Sequence, residues 1–314
     1  MAKFRDSVAD TTIVEAAAQR QGAMPPPHAA EDSTSHAPER SIGDILAELR
    51  NLSAEQVERV LQHQRSTDMR FGEAAVALGM ATKDDVLFAL AKQFNYPYAP
   101  EASRKVGDEL VTMHEPFGPR AEHFRALRSQ LMMRLYPEGE PRRALAIISP
   151  DSGDGKTYCA ANLAVVLAQL GGRTLVVDAD MRGPRLHEVF NVSNRSGLSG
   201  ILTGRSDAQV IQQVAGVPSL FVLPLGTTPP NPAELVERQA FGLLMRELCA
   251  KFDHVVVDTP AAVHGSDAAV IAARCGTALV VARQNRSRVG QLQELLSSFS
   301  GSHARLAGVV VNEF

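Results

Sequence analysis

The stretch Ser149-Pro-Asp-Ser-Gly-Asp-Gly-Lys-Thr157 brings two glycines, a lysine and a hydroxyl together in nine residues. Small residues let backbone N–H groups turn toward an anion. Lys156 can then reach the terminal phosphates of a nucleotide, and the Thr157 hydroxyl can ligate Mg²⁺. Two further segments run from apolar residues into acid. Arg173-Thr-Leu-Val-Val-Asp-Ala-Asp-Met-Arg182 ends at Asp178 and Asp180, and His254-Val-Val-Val-Asp-Thr-Pro260 ends at Asp258. Carboxylates so placed can hold Mg²⁺ directly or through water, and one can orient or deprotonate an attacking hydroxyl. The loop departs from the G-x-x-x-x-G-K-[ST] pattern at Pro150, where the first glycine would stand.

These residues need a strand before the loop and a helix after it. Ala144-Leu-Ala-Ile-Ile148 supplies the strand, and Ala160–Leu170 the helical pattern, so the loop sits at a helix N-terminus that favours anions. Strands near 144–150, 173–179, 219–225, 254–258, 277–282 and 306–312 alternate with helical stretches. That alternation predicts an α/β fold with a doubly wound, mostly parallel sheet, in which ligands bind at the carboxyl ends of the strands. Asp178, Asp180 and Asp258 would all lie at that end, beside the loop.

The loop, the Asp178-x-Asp180-x-Arg182 strand end and the Val-Val-Val-Asp258-Thr-Pro strand end resemble the Walker A, A′ and B motifs of bacterial tyrosine kinases of the exopolysaccharide chain-length-regulator type. Pro184-Arg-Leu-His-Glu-Val-Phe190, Gly197-Leu-Ser-Gly-Ile-Leu-Thr-Gly204 and Gly226-Thr-Thr-Pro-Pro-Asn-Pro-Ala-Glu-Leu235 agree, and the resemblance covers about Asp108 to Phe314. It implies phosphoryl transfer from Mg·ATP to a tyrosine hydroxyl. Ser152, Gly153, Asp154, Gly155, Lys156, Thr157 and Tyr158 become the expected ATP contacts, Thr157, Asp178 and Asp258 the expected Mg²⁺ ligands, and Lys156, Asp178 and Asp180 the expected catalytic groups. Glu122-His-Phe-Arg125-Ala-Leu-Arg128 is similar to the E-x-x-R-x-x-R helix of these kinases and implies assembly into a homo-oligomeric ring. The resemblance also implies an inner-membrane chain-length-determinant adaptor, and hence a cytoplasmic protein peripheral at that membrane.

Two other readings stay open. ATPases that position chromosomes, plasmids and division sites carry a second lysine at the start of the loop, where this chain has Asp151. A kinase-inactive, ATP-binding regulator is the other. The relatives' flexible tyrosine-rich tail has no counterpart after Gly308-Val-Val-Val-Asn-Glu-Phe314, and the tyrosines present are Tyr96, Tyr98, Tyr136 and Tyr158. An acceptor would then be on a partner or at Tyr96, Tyr98 or Tyr136.

With 314 residues, 45% hydrophobic content and a net charge of −3, the chain is expected to form about two domains and shows no basic excess of the kind nucleic-acid binding favours. Cys159, Cys249 and Cys275 are odd in number and scattered, as expected of reduced, packed thiols. No segment reads as a signal peptide or transmembrane span. Residues 1–40, rich in Pro, Ser and charge, read as a disordered arm, and the Pro-rich interval 97–120 as a linker to a P-loop domain at 121–314.

Between arm and linker, residues 41–96 hold a tandem repeat. Ser41-Ile-Gly43 aligns with Arg70-Phe-Gly72, Ser53 with Thr82, Val57 with Val86, Leu61 with Leu90 and Gln64 with Gln93, all offset by 29. Each copy predicts two short helices, the second behind a capping signal, Ser53-Ala-Glu-Gln56 or Thr82-Lys-Asp-Asp85. The repeat resembles the N-terminal domain of type II secretion and type IV pilus ATPases, some of which bind cyclic di-GMP. The first copy has Ser41 for the arginine and Arg50 for the second glycine of that motif. A docking module is the leading expectation, with cyclic di-GMP the alternative.

Overall fold

In the computed structural model, which describes residues 41–93, 106–135, 141–205, 210–299, 301–302 and 304–313, the tandem repeat forms four helices. These are α1 Ile42–Arg50, α2 Ala54–Thr67, α3 Phe71–Ala77 and α4 Lys83–Gln93, so α3 and α4 start 29 residues after α1 and α2. Side chains close the helix starts reciprocally: Ser41 with Asp44, Ser53 with Gln56, and Thr82 with Asp85. Such pairs satisfy backbone N–H groups that a helix start leaves unbonded. The halves meet over Ile45, Leu46, Val60, Ala74, Ala75 and Ala89. Gly72 lets α3 approach α4, since a Cβ there would lie 2.6 Å from Val86 Cγ1. Arg50, at the glycine position the first copy lacks, donates from Nε to Asp85 Oδ2 at 2.6 Å and ties the end of α1 to the start of α4.

The second unit is a seven-stranded sheet in the order β3-β4-β2-β5-β1-β6-β7. Its strands are β1 Ala144–Ile148, β2 Thr174–Asp178, β3 Gln212–Gln213, β4 Leu220–Leu223, β5 His254–Asp258, β6 Gly276–Arg283 and β7 Arg305–Asn312. All neighbours pair in parallel except β3, which runs antiparallel to β4. β1, β2 and β5 are buried along their whole length, as their unbroken apolar runs require when helices cover both faces. On one face lie α8 Pro232–Glu237, α9 Gln239–Lys251, α10 Asp267–Cys275 and α11 Val289–Ser298. On the other lie α5 Val111–His114, α6 Pro119–Leu135 and α7 Lys156–Ala168. The α/β, doubly wound expectation holds; β3, only two residues long, is the strand that apolar periodicity did not signal.

The linker reading of 97–120 needs correction. Residues 94–105 lie outside the described ones, but from Val106 onward the chain packs onto the P-loop domain. Leu110 and Met113 are buried, and the Gly107 N–H donates to the Val189 carbonyl at 2.8 Å. Prolines suggested a spacer, yet Pro119 occupies the first turn of α6, where its missing N–H costs nothing. The anchor is Asn162, fully buried on α7. Its Oδ1 accepts from the Thr112 N–H at 3.0 Å and hydroxyl at 2.9 Å, and its Nδ2 donates to the carbonyls of Glu109 at 2.9 Å and Tyr158 at 3.0 Å.

Asn162→Ala leaves these buried partners unpaired and should cost on the order of 2–4 kcal/mol. The expected result is a lowered thermal midpoint, and faster proteolysis within 106–118 when the variant is digested under native conditions.

Candidate functional site

The loop from Ser149 to Gly155 leaves β1 and opens α7, and its glycines are dictated by backbone shape. Gly153 has φ +81° and Gly155 φ +99°, the left-handed region that side chains resist. A Cβ at Gly155 would also collide with Asn312 Nδ2, which donates to the Asp154 carbonyl at 3.0 Å. The Asp154 carboxylate is buried within the loop: Oδ2 accepts from the Asp151 N–H at 2.9 Å and Oδ1 from the Ser287 hydroxyl at 3.1 Å. Pro150, in place of a glycine, is accommodated because the turn is held by Ser149, whose hydroxyl donates to the Asp151 carbonyl at 2.8 Å.

Lys156 begins α7 and is 6% exposed, with Nζ donating to Ser149 Oγ at 3.1 Å. The Thr157 hydroxyl donates to Asp258 Oδ2 at 2.6 Å, while Asp258 Oδ1 is buried with no hydrogen-bond partner. β2 and β5 pair so that Asp178 lies directly beside Asp258. Asp178 accepts from the Asp180 N–H through Oδ1 at 3.2 Å and from the Leu186 N–H through Oδ2 at 3.1 Å. Asp180 Oδ1 accepts from the N–H groups of Arg182 at 3.0 Å and Gly183 at 2.9 Å, closing the turn after β2. Two of the three acids thus shape backbone as well as charge, and the unspent oxygen belongs to Asp258.

Burial pushes both neighbouring carboxyls upward, Asp178 well above the usual carboxylate range and Asp258 to about 7. For Asp178 the adjacent Asp258 adds to burial; for Asp258 the Thr157 hydroxyl and Lys156 act in the opposite sense. A hard divalent cation fits this donor set. Mg²⁺ is held by few protein oxygens plus water and phosphate, and the Thr157 hydroxyl beside an orphaned carboxylate oxygen offers two such donors.

Tyr158 packs edge-on against Phe124, with centroids 5.6 Å apart, and burial raises its phenol. Both line a cavity of about 470 Å³ beside Gly155 that also takes in Arg120, Leu127, Val310 and Asn312. Burial likewise pushes the Cys159 thiol up to about 12, as befits a packing residue.

Of the residues expected from sequence, the fold gathers Ser152 through Tyr158, Asp178, Asp180 and Asp258 at one end of the sheet. Glu122, Arg125 and Arg128 lie on α6 instead. Arg125 pairs with Glu122 and donates to the Pro116 carbonyl, and Arg128 donates to the Val166 carbonyl in the last turn of α7 at 2.7 Å. Both arginines therefore serve this chain's own packing, while the Glu122 side chain remains 69% exposed. Sequence reading missed His264, whose Nε2 is 2.8 Å from Ser152 Oγ, and Arg283, whose Nη1 donates to the Gly153 carbonyl at 3.3 Å. It also missed Asn312 and the Arg182–Asp267 ion pair at 2.8 Å. Asn312 carried a usable signal: like Asp178 and Asp258, it is the polar residue closing an apolar strand.

The family profile of the CobQ/CobB/MinD/ParA nucleotide binding domain, CbiA, matches residues 145–314. A putative tyrosine-protein kinase, CapB of Staphylococcus aureus, is 35% identical over 207 residues, which are 65% of this chain and 89% of that protein. This chain belongs to the bacterial tyrosine-protein kinase family. The kinase domain of the Escherichia coli tyrosine kinase ETK superposes with a TM-score of 0.62 at 32% identity, over 67% of this chain and 81% of that one. A putative tyrosine-protein kinase, EpsB of Ralstonia nicotianae, is 36% identical over 67% of this chain, but the match spans only 28% of that longer relative. As a family member this chain carries a nucleotide-binding domain. Among its described residues, no helix is long and apolar enough to cross a membrane.

Because the folded carboxyl of Asp258 titrates above its unfolded value, the fold holds a proton that the unfolded chain releases near pH 4. Its contribution is full at low pH and is lost as pH rises through about 7. Nucleotide-free protein should melt lower as pH climbs through neutrality. Asp258→Asn should flatten that slope and raise the midpoint at about pH 8 by roughly 2–4 °C, while weakening Mg²⁺-dependent nucleotide binding.

Proposed function

We propose that this chain is an ATP-dependent protein-tyrosine kinase that regulates exopolysaccharide polymerisation or export. The observation carrying this reading is the junction of Lys156, Thr157, Asp178 and Asp258 at the carboxyl ends of β1, β2 and β5, in a chain of the tyrosine-protein kinase family. The backbone N–H groups of Gly153, Asp154 and Gly155 cradle the phosphates, and the cavity beside Tyr158 and Asn312 takes the base. Lys156 swings from Ser149 to neutralise charge on the transferring group. Thr157 and Asp258 hold Mg²⁺, which when bound neutralises phosphate charge, and Asp178 completes its surroundings. Asp178 or Asp180 accepts the tyrosine proton as the phenolic oxygen attacks the γ-phosphorus and the bond to the ADP oxygen breaks. Transfer of this kind relies on positioning and charge stabilisation more than on covalent chemistry.

On this chain the candidate acceptors are Tyr96, Tyr98 and Tyr136, which lie outside the described residues, since Tyr158 is packed against Phe124. The kinase would act in the cytoplasm, peripheral to the inner membrane, with an inner-membrane chain-length-determinant adaptor. It would assemble through the α6 face around Glu122. The helical repeat of 41–93 serves as a docking module; its Gly72 is accounted for by packing against Val86, without recourse to cyclic di-GMP. A kinase-inactive ATP-binding regulator is the second reading, favoured by the packing of Tyr158. The positioning-ATPase reading is weakened by Asp151, whose N–H is spent on Asp154 inside the loop.

Peptide mass spectrometry after incubation with Mg·ATP, with and without the adaptor's cytoplasmic segment, separates the first two. Phosphotyrosine that disappears in Lys156→Met, with a drop in transfer of at least about 10²-fold, is the expected result. Nucleotide binding with no phosphotyrosine under either condition would move the assignment to the regulator.

A further inference from the structure

The nucleotide loop is short of positive charge. Asp151 and the buried Asp154 belong to it, Asp178 and Asp258 flank it, and Lys156 is the loop's own cation. The segment after β6 brings another. Its Arg283 N–H donates to Ser287 Oγ at 2.7 Å, the Ser287 hydroxyl donates to Asp154 Oδ1 at 3.1 Å, and Arg283 Nη1 donates to the Gly153 carbonyl at 3.3 Å. Two of these bonds fasten residues 283–287 to the loop, and the first closes the segment on itself. Between these anchors Asn285 takes φ +60°, and the Arg286 N–H donates to the Arg283 carbonyl at 3.2 Å. The Arg286 guanidinium consequently lies over Gly153, with Nη1 3.3 Å from where a Cβ would stand. Among the described residues it has no carboxylate or carbonyl partner.

We infer that Arg286 is a phosphate-sensing residue of this site, a cation supplied in cis that binds the terminal phosphate and so separates nucleoside triphosphate from diphosphate. The inference rests on the nucleotide reading of the loop. Arginine suits the task because its planar fork of donors can engage two phosphate oxygens at once, and an unpartnered, half-tethered guanidinium spends little to do so. Arg283 holds the segment and Arg286 makes the contact. A lysine at the start of the loop is absent here, and Arg286 brings equivalent charge from the segment after β6, the parallel neighbour of β1.

The test is displacement of a fluorescent adenine nucleotide by ATP and by ADP, each with Mg²⁺, from the full chain and from Arg286→Ala, Arg286→Lys and Arg288→Ala. Arg288 is the neighbouring exposed arginine and controls for general charge. The expected result is about a tenfold or greater loss of ATP affinity in Arg286→Ala with ADP affinity nearly unchanged, partial recovery in Arg286→Lys, and no change in the ATP-to-ADP ratio for Arg288→Ala. An unchanged ratio in Arg286→Ala, or equal loss of both nucleotides, overturns the assignment while the nucleotide site stands. If the unaltered chain binds neither nucleotide, the reading of the loop falls and this assignment with it.

Discussion

The parallel register between β2 and β5 is the constraint on which the site depends. It sets Asp178 beside Asp258 at the carboxyl edge of a sheet whose central strands are wholly buried. Two carboxyls in such a place cannot both ionise cheaply, and burial raises each above its ordinary value. The surrounding structure answers that cost piecemeal. Asp178 takes two backbone N–H groups, Asp258 takes the Thr157 hydroxyl, and one oxygen of Asp258 is left with nothing. That residual deficit is what a divalent cation relieves, so the same electrostatics that weakens the empty fold favours its ligand.

The loop inherits its rigidity from the same edge. The Asp154 carboxylate is interior and gathers Asp151, Ser287 and the segment after β6. Asn312 then closes the loop from β7, occupying the space that any side chain at Gly155 would need. Residues from β1, β6 and β7 therefore share one hydrogen-bonded assembly, and the outer strands contribute to the site although the chemistry-bearing acids sit on the inner ones.

The N-terminal helical unit follows a different logic. Its two halves are copies at the level of caps, helix starts and the glycines Gly43 and Gly72, yet a difference joins them: Arg50 reaches Asp85 where a copied glycine could not. Here a departure from the repeat is a contact that fixes one copy against the other.

Much of this was legible in the residues themselves. Unbroken apolar runs ending in Asp178 and Asp258, a Gly-Lys-Thr turn between strand and helix, and the offset of 29 residues are local patterns with local causes, and they determined the strands, the phosphate loop and the helical repeat. What sequence left open are facts of long-range proximity. Nothing local says that Asn162 binds Thr112 and Glu109 and so folds a proline-rich stretch onto the core, or that Arg125 and Arg128 are spent on Pro116 and Val166. Arg286 and His264 reach the loop across about 130 and 110 residues of chain. Periodicity and capping act within a few residues and can be read in one dimension. Partner choice for a long polar side chain depends on which backbone groups the sheet order brings within reach, and only the tertiary structure decides that.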